Sequence, residues 1–271
     1  HSTISLGLGL GGGKAATSSG AQGGGTPFAN TKSVTFDGVG DYATVSPGWI
    51  ASDADYTLSM WLNVDTFPAS SLSFALCTSL ASSLSLFPAG KAQFETRTGS
   101  NWAFGVKEVL SGAAEDTWFH LAVVKQANVP SGSSTFTYYV NGSSVGTFVK
   151  SPVAATYAFG SSAGAAQVVF VARYNAASHY GNILLDEMAI FTSIPSGRGG
   201  ALDATAISGI WGGGTPSSLS TLVPRNWYRM GDGASVGGTS DSASTVYDMG
   251  ASKGTTTDMT LQAATYSTDV P

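Results

Sequence analysis

Two adjacent carboxylates, Asp186 and Glu187, are the residues whose types suit acid–base chemistry on a core element of this sequence. Glycoside hydrolysis uses two carboxyl groups that flank one bond, about 5–5.5 Å apart for retention and roughly 6.5–9.5 Å apart for inversion. The segment Ile183–Phe191 predicts a β-strand, in which neighbouring residues point to opposite faces. We therefore expect that this pair does not cleave a glycosidic bond.

The pattern Gly-x-Ser-x-Gly, which surrounds the nucleophile of many hydrolases, occurs at 142–146, 160–164 and 233–237. A nucleophile elbow requires a strand, a sharp turn and a helix, followed by an acidic residue and a histidine. Ser144 lies in a predicted hairpin, and no Asp or Glu separates it from His179. The sequence therefore predicts a protein that is not an enzyme.

Aromatic residues in predicted loops are the candidates for binding a sugar, because glycan sites place an aromatic face beside a few hydrogen-bonding groups. The candidates are Trp49, Trp102, Tyr174, His179 and Tyr180. The alternative for each aromatic residue is a place in the packed core.

Another histidine, His120, lies in the apolar run Trp118–Val124. We expect it to be a hydrogen-bonded core residue rather than a metal ligand. No group of residues has the spacing of a zinc site.

The composition limits the classes of partner. Hydrophobic residues make up 42% of the 271 residues, which suffices for a core, while charged residues make up 11%, against about 25% in typical soluble domains. The net charge is −5, and without a basic stripe we expect no nucleic acid partner. The longest apolar runs, such as Val168–Ala172, are too short to span a bilayer, so no membrane insertion is expected. A neutral surface rich in Gly, Ser and Thr suits either an assembly subunit or a secreted β-protein.

The elements that position these residues are predicted to be β-strands. Leu58, Met60, Leu62 and Val64 alternate with polar or aromatic residues, as expected for one face of a strand. Asn141-Gly142 is a strong hairpin signal between two alternating runs. Asp203–Trp211 is the one predicted helix, with Asp203 as its N-cap. Short strands separated by Gly and Ser turns indicate an all-β sandwich.

The segment 1–32 is rich in glycine and low in complexity. Leu6, Leu8 and Leu10 alternate with small residues, a pattern that suits a strand added to the sheet edge of a partner protein. We therefore expect an extended, partner-anchoring N-terminal arm; the alternative is an arm that folds back on its own domain.

Five motifs resemble, in order, those of laminin-G-like and concanavalin-A-like jelly-roll domains. They are Ser33–Tyr42, Tyr56–Leu62, Thr117–Val124, Tyr138–Gly142 and Gly181–Phe191. The predicted helix also lies where this family places a short one. The segment Trp227–Gly233 resembles one that follows such domains in structural proteins of bacteriophages, notably marine phages.

The resemblance implies a two-sheet antiparallel jelly roll over residues 33–211, with 212–271 as a C-terminal β and loop extension packed on it. Family members bind glycans or proteins, often with a calcium ion, and the fold does not decide among these roles. If the first and last strands pair as in the family, Asp186 comes near Asp37 and Asp41, and their oxygens suit calcium. The alternative is turn chemistry for Asp37 and Asp41 and a structural hydrogen bond for Asp186.

The arm, the low charge and the phage-like segment together favour a non-catalytic virion structural protein. We expect a decoration, fibre or tail-associated subunit on the virion surface, present as a homo-oligomer or in many symmetric copies and anchored to other virion proteins. The alternative is a carbohydrate-binding adhesion module, calcium-dependent or not, that is secreted or lies on a cell surface and contacts a host glycan. A glycoside hydrolase is a distant third.

Overall fold

The computed structural model describes residues 28–46, 54–70, 72–78, 82–96, 106–128, 133–150, 161–162, 165–166, 169–174, 178–193, 199–254 and 257–271. Leu6, Leu8 and Leu10 of the predicted arm, and the candidates Trp49 and Trp102, lie outside these ranges. The described chain is built almost entirely from β-strands, with a single helix, so the predicted all-β class is confirmed.

The first sheet, sheet I, has eight antiparallel strands, in the spatial order β10-β9-β8-β3-β14-β1-β18, with β15 also paired to β14. Its strands are β1 Ser33–Asp37, β3 Tyr56–Thr66, β8 Trp118–Asn128, β9 Ser133–Val140, β10 Ser143–Lys150, β14 Asn182–Thr192, β15 Asn226–Tyr228 and β18 Thr265–Ser267.

The second sheet, sheet II, also has eight strands, in the order β16-β17-β2-β13-β4-β5-β6-β7. Its strands are β2 Tyr42–Val45, β4 Ser73–Thr78, β5 Ser82–Phe87, β6 Lys91–Thr96, β7 Val106–Leu110, β13 Val169–Val171, β16 Thr245–Val246 and β17 Met259–Gln262. A separate two-stranded ribbon pairs β11 Ser161–Ser162 with β12 Ala165–Ala166.

The main core lies between the two sheets, because each strand turns alternate apolar residues inward. In β3, Leu58, Met60, Leu62 and Val64 all belong to this core, as their spacing predicts. The intervening residues of β3, including Ser59 and Trp61, are also buried, because a second layer covers the outer face of sheet I.

Helix α1, Ala204–Trp211, is part of this covering layer and confirms the predicted helix. Asp203 caps it by accepting the backbone N–H of Ala206 at 2.8 Å, and Gly212 ends it with φ 60°. Ile207 and Ile210 pack against the outer face of sheet I. No helix in the described ranges is long and apolar enough to cross a membrane.

Both ends of the described chain are built into the sandwich. The segment 212–271 adds β15 and β18 to sheet I and β16 and β17 to sheet II. At the start, Thr31 donates its backbone N–H and its hydroxyl to the carboxylate of Asp232, at 2.6 and 2.5 Å. The last residues of the predicted arm therefore fold back on their own domain.

Both backbone geometry and packing constrain the turn of the hairpin between β9 and β10. Asn141 and Gly142 have φ values of 48° and 73°, and a Cβ on Gly142 would lie 2.9 Å from Cε3 of Trp211 in α1. We expect Gly142→Ala to lower the free energy of unfolding in urea by about 2 kcal/mol, through left-handed strain and the Trp211 contact.

Gly112→Ala is the matched control, because Gly112 has φ 68° and a Cβ there would meet no atom within 4 Å. It should lose less stability than Gly142→Ala. Equal losses for the two variants would show that the contact with Trp211 contributes nothing.

Candidate functional site

Loops from both sheets form an open cleft of about 550 Å³ at one end of the sandwich. The turn between β1 and β2, the segment after β3 and the loop between β13 and β14 contribute its walls. We call it the end cleft, and its lining residues are Asp37, Gly38, Thr66, Phe67, Pro68, Ala69, Leu72, Ser73, His179, Tyr180 and Asn182.

Asp37 organises one wall of the end cleft. Its Oδ1 accepts the backbone N–H groups of Val39, Gly40 and Asp41 at 2.8, 3.0 and 3.2 Å. The hydrogen bonds from Gly40 and Val39 lower the pKa of Asp37, so it is a fixed carboxylate at neutral pH. Gly38 is required beside it, because φ is 73° and a Cβ would lie 2.9 Å from Cβ of Asn182.

The opposite wall is held by hydrogen bonds to the segment after β3. Nδ2 of Asn182 donates to Oδ2 of Asp65 at 2.6 Å, which joins the start of β14 to the end of β3. The backbone N–H of Phe67 donates to Oε1 of Glu115 at 2.8 Å, and the Phe67 ring is buried. These contacts hold the segment after β3 in place as a partly apolar wall of the end cleft.

The loop between β13 and β14 supplies an aromatic rim. His179 is exposed, with its backbone in the left-handed region at φ 55°, and its Nδ1 lies 2.8 Å from Oγ of Ser178. Its ring meets that of Tyr174 edge to face, with centroids 6.3 Å apart. A non-glycine residue in this conformation stores strain, which is common at binding sites.

The structure thus brings together four of the residues that the sequence singled out. Asp37, His179 and Tyr180 line one cleft, and Tyr174 contacts His179. Thr66, Phe67 and Asn182 were not predicted. The proline directly after Phe67, which marks the end of the strand, is a sequence signal for the first two, and no such signal marks Asn182.

The predicted calcium ligands do not converge. The first and last strands of the family pattern do pair, with Asp37 opposite Asn182. Asp186 is four residues further along β14, a separation of roughly 13 Å from that end. Among the described residues, no three acidic, histidine or cysteine side chains form a group that could hold a metal ion. Asp37 has the turn role given as the alternative, and these three residues do not fit a calcium site.

Asp186 and Glu187 differ from the prediction in a second way. Leu185 and Met188 both enter the main core with two residues between them, and the register to β3 shifts between Asp186 and Ala189. Glu187 has φ 46°, so β14 contains a β-bulge. The expectation that the two carboxylates face opposite sides is therefore wrong; both lie on the outer face of sheet I.

Neither carboxylate is available to a substrate, because both are buried. Glu187 accepts Nε1 of Trp227 and forms an ion pair with Nε of Arg229 at 3.1 Å. Asp186 accepts Nδ2 of Asn30 at 2.8 Å and the backbone N–H of Glu187 at 2.8 Å, which is the structural role given as its alternative. The pair belongs to the packing of the sandwich.

Burial raises the pKa of Asp186, and the neighbouring Glu187 raises it further. Burial also raises the pKa of Glu187, but the charge of Arg229 opposes that shift. Asp186 therefore favours its protonated form, while the charge of Arg229 favours the ionised form of Glu187.

His120 is a core residue, as predicted. Its Nε2 lies 2.9 Å from Oγ of Ser59, and its ring centroid lies 5.4 Å from that of Trp61. Burial lowers the pKa of His120 to about 4, so the imidazole is neutral at pH 7.

The match to a known family completes this description. A family model described as the Concanavalin A-like lectin/glucanases superfamily matches residues 37–197, more than half of the chain. The chain belongs to this superfamily. The match includes every residue that lines the end cleft. The comparison with curated proteins finds no match.

Solved structures that align with this superfamily member share little sequence with it. One is a Bacteroides ovatus ATCC 8483 protein described as a "putative carbohydrate binding protein", with a TM-score of 0.59 and 14% identity. The alignment covers 89% of this chain but 60% of that protein.

Two further structures align over about two thirds of the chain. A SAP-like pentraxin from Limulus polyphemus has a TM-score of 0.46 and 12% identity, over 67% of this chain and 82% of that one. The CBM40 of a Ruminococcus gnavus IT-sialidase, bound to α2,3-sialyllactose, has a TM-score of 0.46 and 9% identity, over 66% and 97%.

The raised pKa of Asp186 predicts how stability depends on pH. The folded protein holds a proton that an unfolded aspartate releases near pH 4. The free energy of unfolding therefore falls as pH rises from about 4 towards the raised pKa. Asp186→Asn removes this titration, so its free energy of unfolding should decline less steeply with pH in urea titrations.

Glu108→Gln, which removes an exposed carboxylate, is the control and should keep the wild-type slope. A wild-type slope in Asp186→Asn would contradict the raised pKa of Asp186.

Proposed function

We propose that this superfamily member is a non-catalytic carbohydrate-binding module that holds its ligand in the end cleft. The observation that carries the proposal is the convergence of His179, Tyr180, Asp37 and Asn182, from separate parts of the chain, on one open cleft. Ligand sites of this size combine apolar walls with a few placed polar groups.

The chemistry of the end cleft suits a sugar. The ring of Tyr180 offers a surface for the C–H face of a pyranose, and the carboxylate of Asp37 accepts hydrogen bonds from hydroxyl groups. The side chains of Thr66 and Ser73 add hydroxyl groups that both donate and accept. Because Asp37 and Asn182 are already fixed by hydrogen bonds, little ordering accompanies binding.

The acidic residues support binding without hydrolysis. Asp37 is the one carboxylate among the described residues that line the end cleft, whereas most glycosidases use two. The adjacent pair on β14 is buried, with Glu187 held by Arg229.

The virion role expected from the sequence stays a prediction. Its anchoring residues Leu6, Leu8 and Leu10 lie outside the described part of the chain. The geometry of the end cleft favours the alternative, the carbohydrate-binding module, which we place first. Calcium dependence, oligomeric state and location on a virion or cell surface remain predictions beside it.

A glycan array tests the proposal directly. The protein should be displayed in multimeric form, because avidity raises weak single-site binding by roughly 10²–10⁴. We expect binding to at least one class of glycan, and we expect Tyr180→Ala to weaken it roughly tenfold, by removing the stacking surface.

Tyr247→Ala is the matched control, since Tyr247 follows β16 and does not line the cleft. It should bind as the wild type does. Absence of any signal at high valency, with and without calcium, would overturn the proposal, as would equal binding by Tyr180→Ala and wild type.

A further inference from the structure

Arg173 lies on the outer face of sheet II, just after β13. Val169 and Val171 point into the core, so Phe170 between them faces outward. Tyr42 precedes the core residue Ala43 and faces the same way. The guanidinium carbon of Arg173 lies 4.0 Å from the ring centroid of Tyr42 and 4.4 Å from that of Phe170. The cation is therefore held against two aromatic rings.

Arg229 provides an internal comparison, because it too lies over two rings, those of Phe28 and Trp227. Its guanidinium nitrogens donate to Oε1 of Glu187 and to the carbonyl oxygens of Ala29 and Asp232. All three guanidinium nitrogens of this arginine are thus committed within the protein.

In Arg173, by contrast, the two terminal guanidinium nitrogens form no hydrogen bond with a described residue. Within the described ranges its one hydrogen bond runs from Nε to the carbonyl oxygen of Tyr174, at 3.1 Å. The ion pairs formed by described residues are Lys91–Glu108 and Arg229–Glu187, so no described carboxylate neutralises Arg173. In a chain with net charge −5, this is a half-buried cation whose terminal nitrogens are directed to no described acceptor.

The position of Arg173 connects it to the end cleft. Tyr174, the next residue, meets the ring of His179 edge to face, and His179 lines the cleft. Tyr42 follows the turn that Asp37 organises, which forms one wall of the end cleft. Arg173 therefore adjoins the rim of the end cleft through Tyr174, and only a ligand longer than one sugar unit would span from the cleft to the guanidinium.

We propose that Arg173 forms an anion subsite for an acidic oligosaccharide, in which its terminal nitrogens bind a carboxylate or sulfate group of a sugar next to the one in the end cleft. This inference rests on the proposed function and adds the class of ligand. A planar guanidinium matches the two oxygens of such a group, and stacking on Tyr42 and Phe170 fixes its orientation in advance.

Calorimetric titration with three matched oligosaccharides tests the subsite: oligogalacturonate, its carboxyl-reduced neutral form, and the sulfated neutral form. We expect wild type to bind the two anionic ligands at least tenfold more tightly than the neutral one, with a preference that falls as salt rises. Arg173→Gln should lose that preference while still binding the neutral ligand. Whichever anionic form binds more tightly identifies the group recognised.

Lys253→Gln controls for the loss of one positive charge, since Lys253 is an exposed residue of the C-terminal segment. It should keep the preference for anionic ligands. Equal affinity of wild type for all three ligands would overturn the anion subsite and leave the carbohydrate-binding proposal intact. So would an anionic preference that persists in Arg173→Gln. Binding of none of the three by wild type overturns the subsite, whereas the proposed function is judged separately by the glycan array and its Tyr180→Ala variant.

Discussion

The buried ion pair between Glu187 and Arg229 is the interaction on which the arrangement of the two ends of the described chain depends. Glu187 has 3% of its surface exposed, at a bulge where β14 cannot turn the side chain away. A carboxylate buried there without a partner would lower the free energy of unfolding by about 3–5 kcal/mol. The fold therefore needs an arginine beside Glu187. Arg229 comes from the segment after β15, and it also binds the carbonyl oxygen of Ala29. One contact therefore joins the central strand, the C-terminal segment and the residues before β1.

Strand β14, which holds Glu187, also positions the walls of the end cleft. β14 begins at Asn182 in the cleft and pairs with β3 on one side and with β1 on the other. Its register sets Asn182 opposite Thr66 and Asp37, which line the two walls. The loops that form the rim are thus mounted on a sandwich with a fixed register, which is the usual way in which binding loops are positioned. Arg173 extends the rim as a cation that the protein does not itself neutralise in its described part.

The sequence predicts the strands well because the apolar residues that face the main core recur with a period of two, as in Leu58 to Val64. The helix and the Asn141-Gly142 turn were also recognisable, because each depends on local signals, a cap and two positive φ angles. The bulge at Glu187 was not, since the alternation rule assumes a regular strand. The three predicted calcium ligands do not come together, because the sequence holds no local signal for the register between strands that are far apart in the chain. Arg173 was missed because a lone arginine shows nothing of the rings that surround it until Tyr42 and Phe170 are brought together.

The location of the bound ligand is the most direct test of the central claim. Amide hydrogen exchange should be measured with and without the oligosaccharide that gives the strongest array signal. Binding in the end cleft predicts slower exchange in the peptides that cover residues 37–42, 66–73 and 174–182, with α1 unchanged. Protection confined to peptides outside these three, with binding intact, would contradict the account.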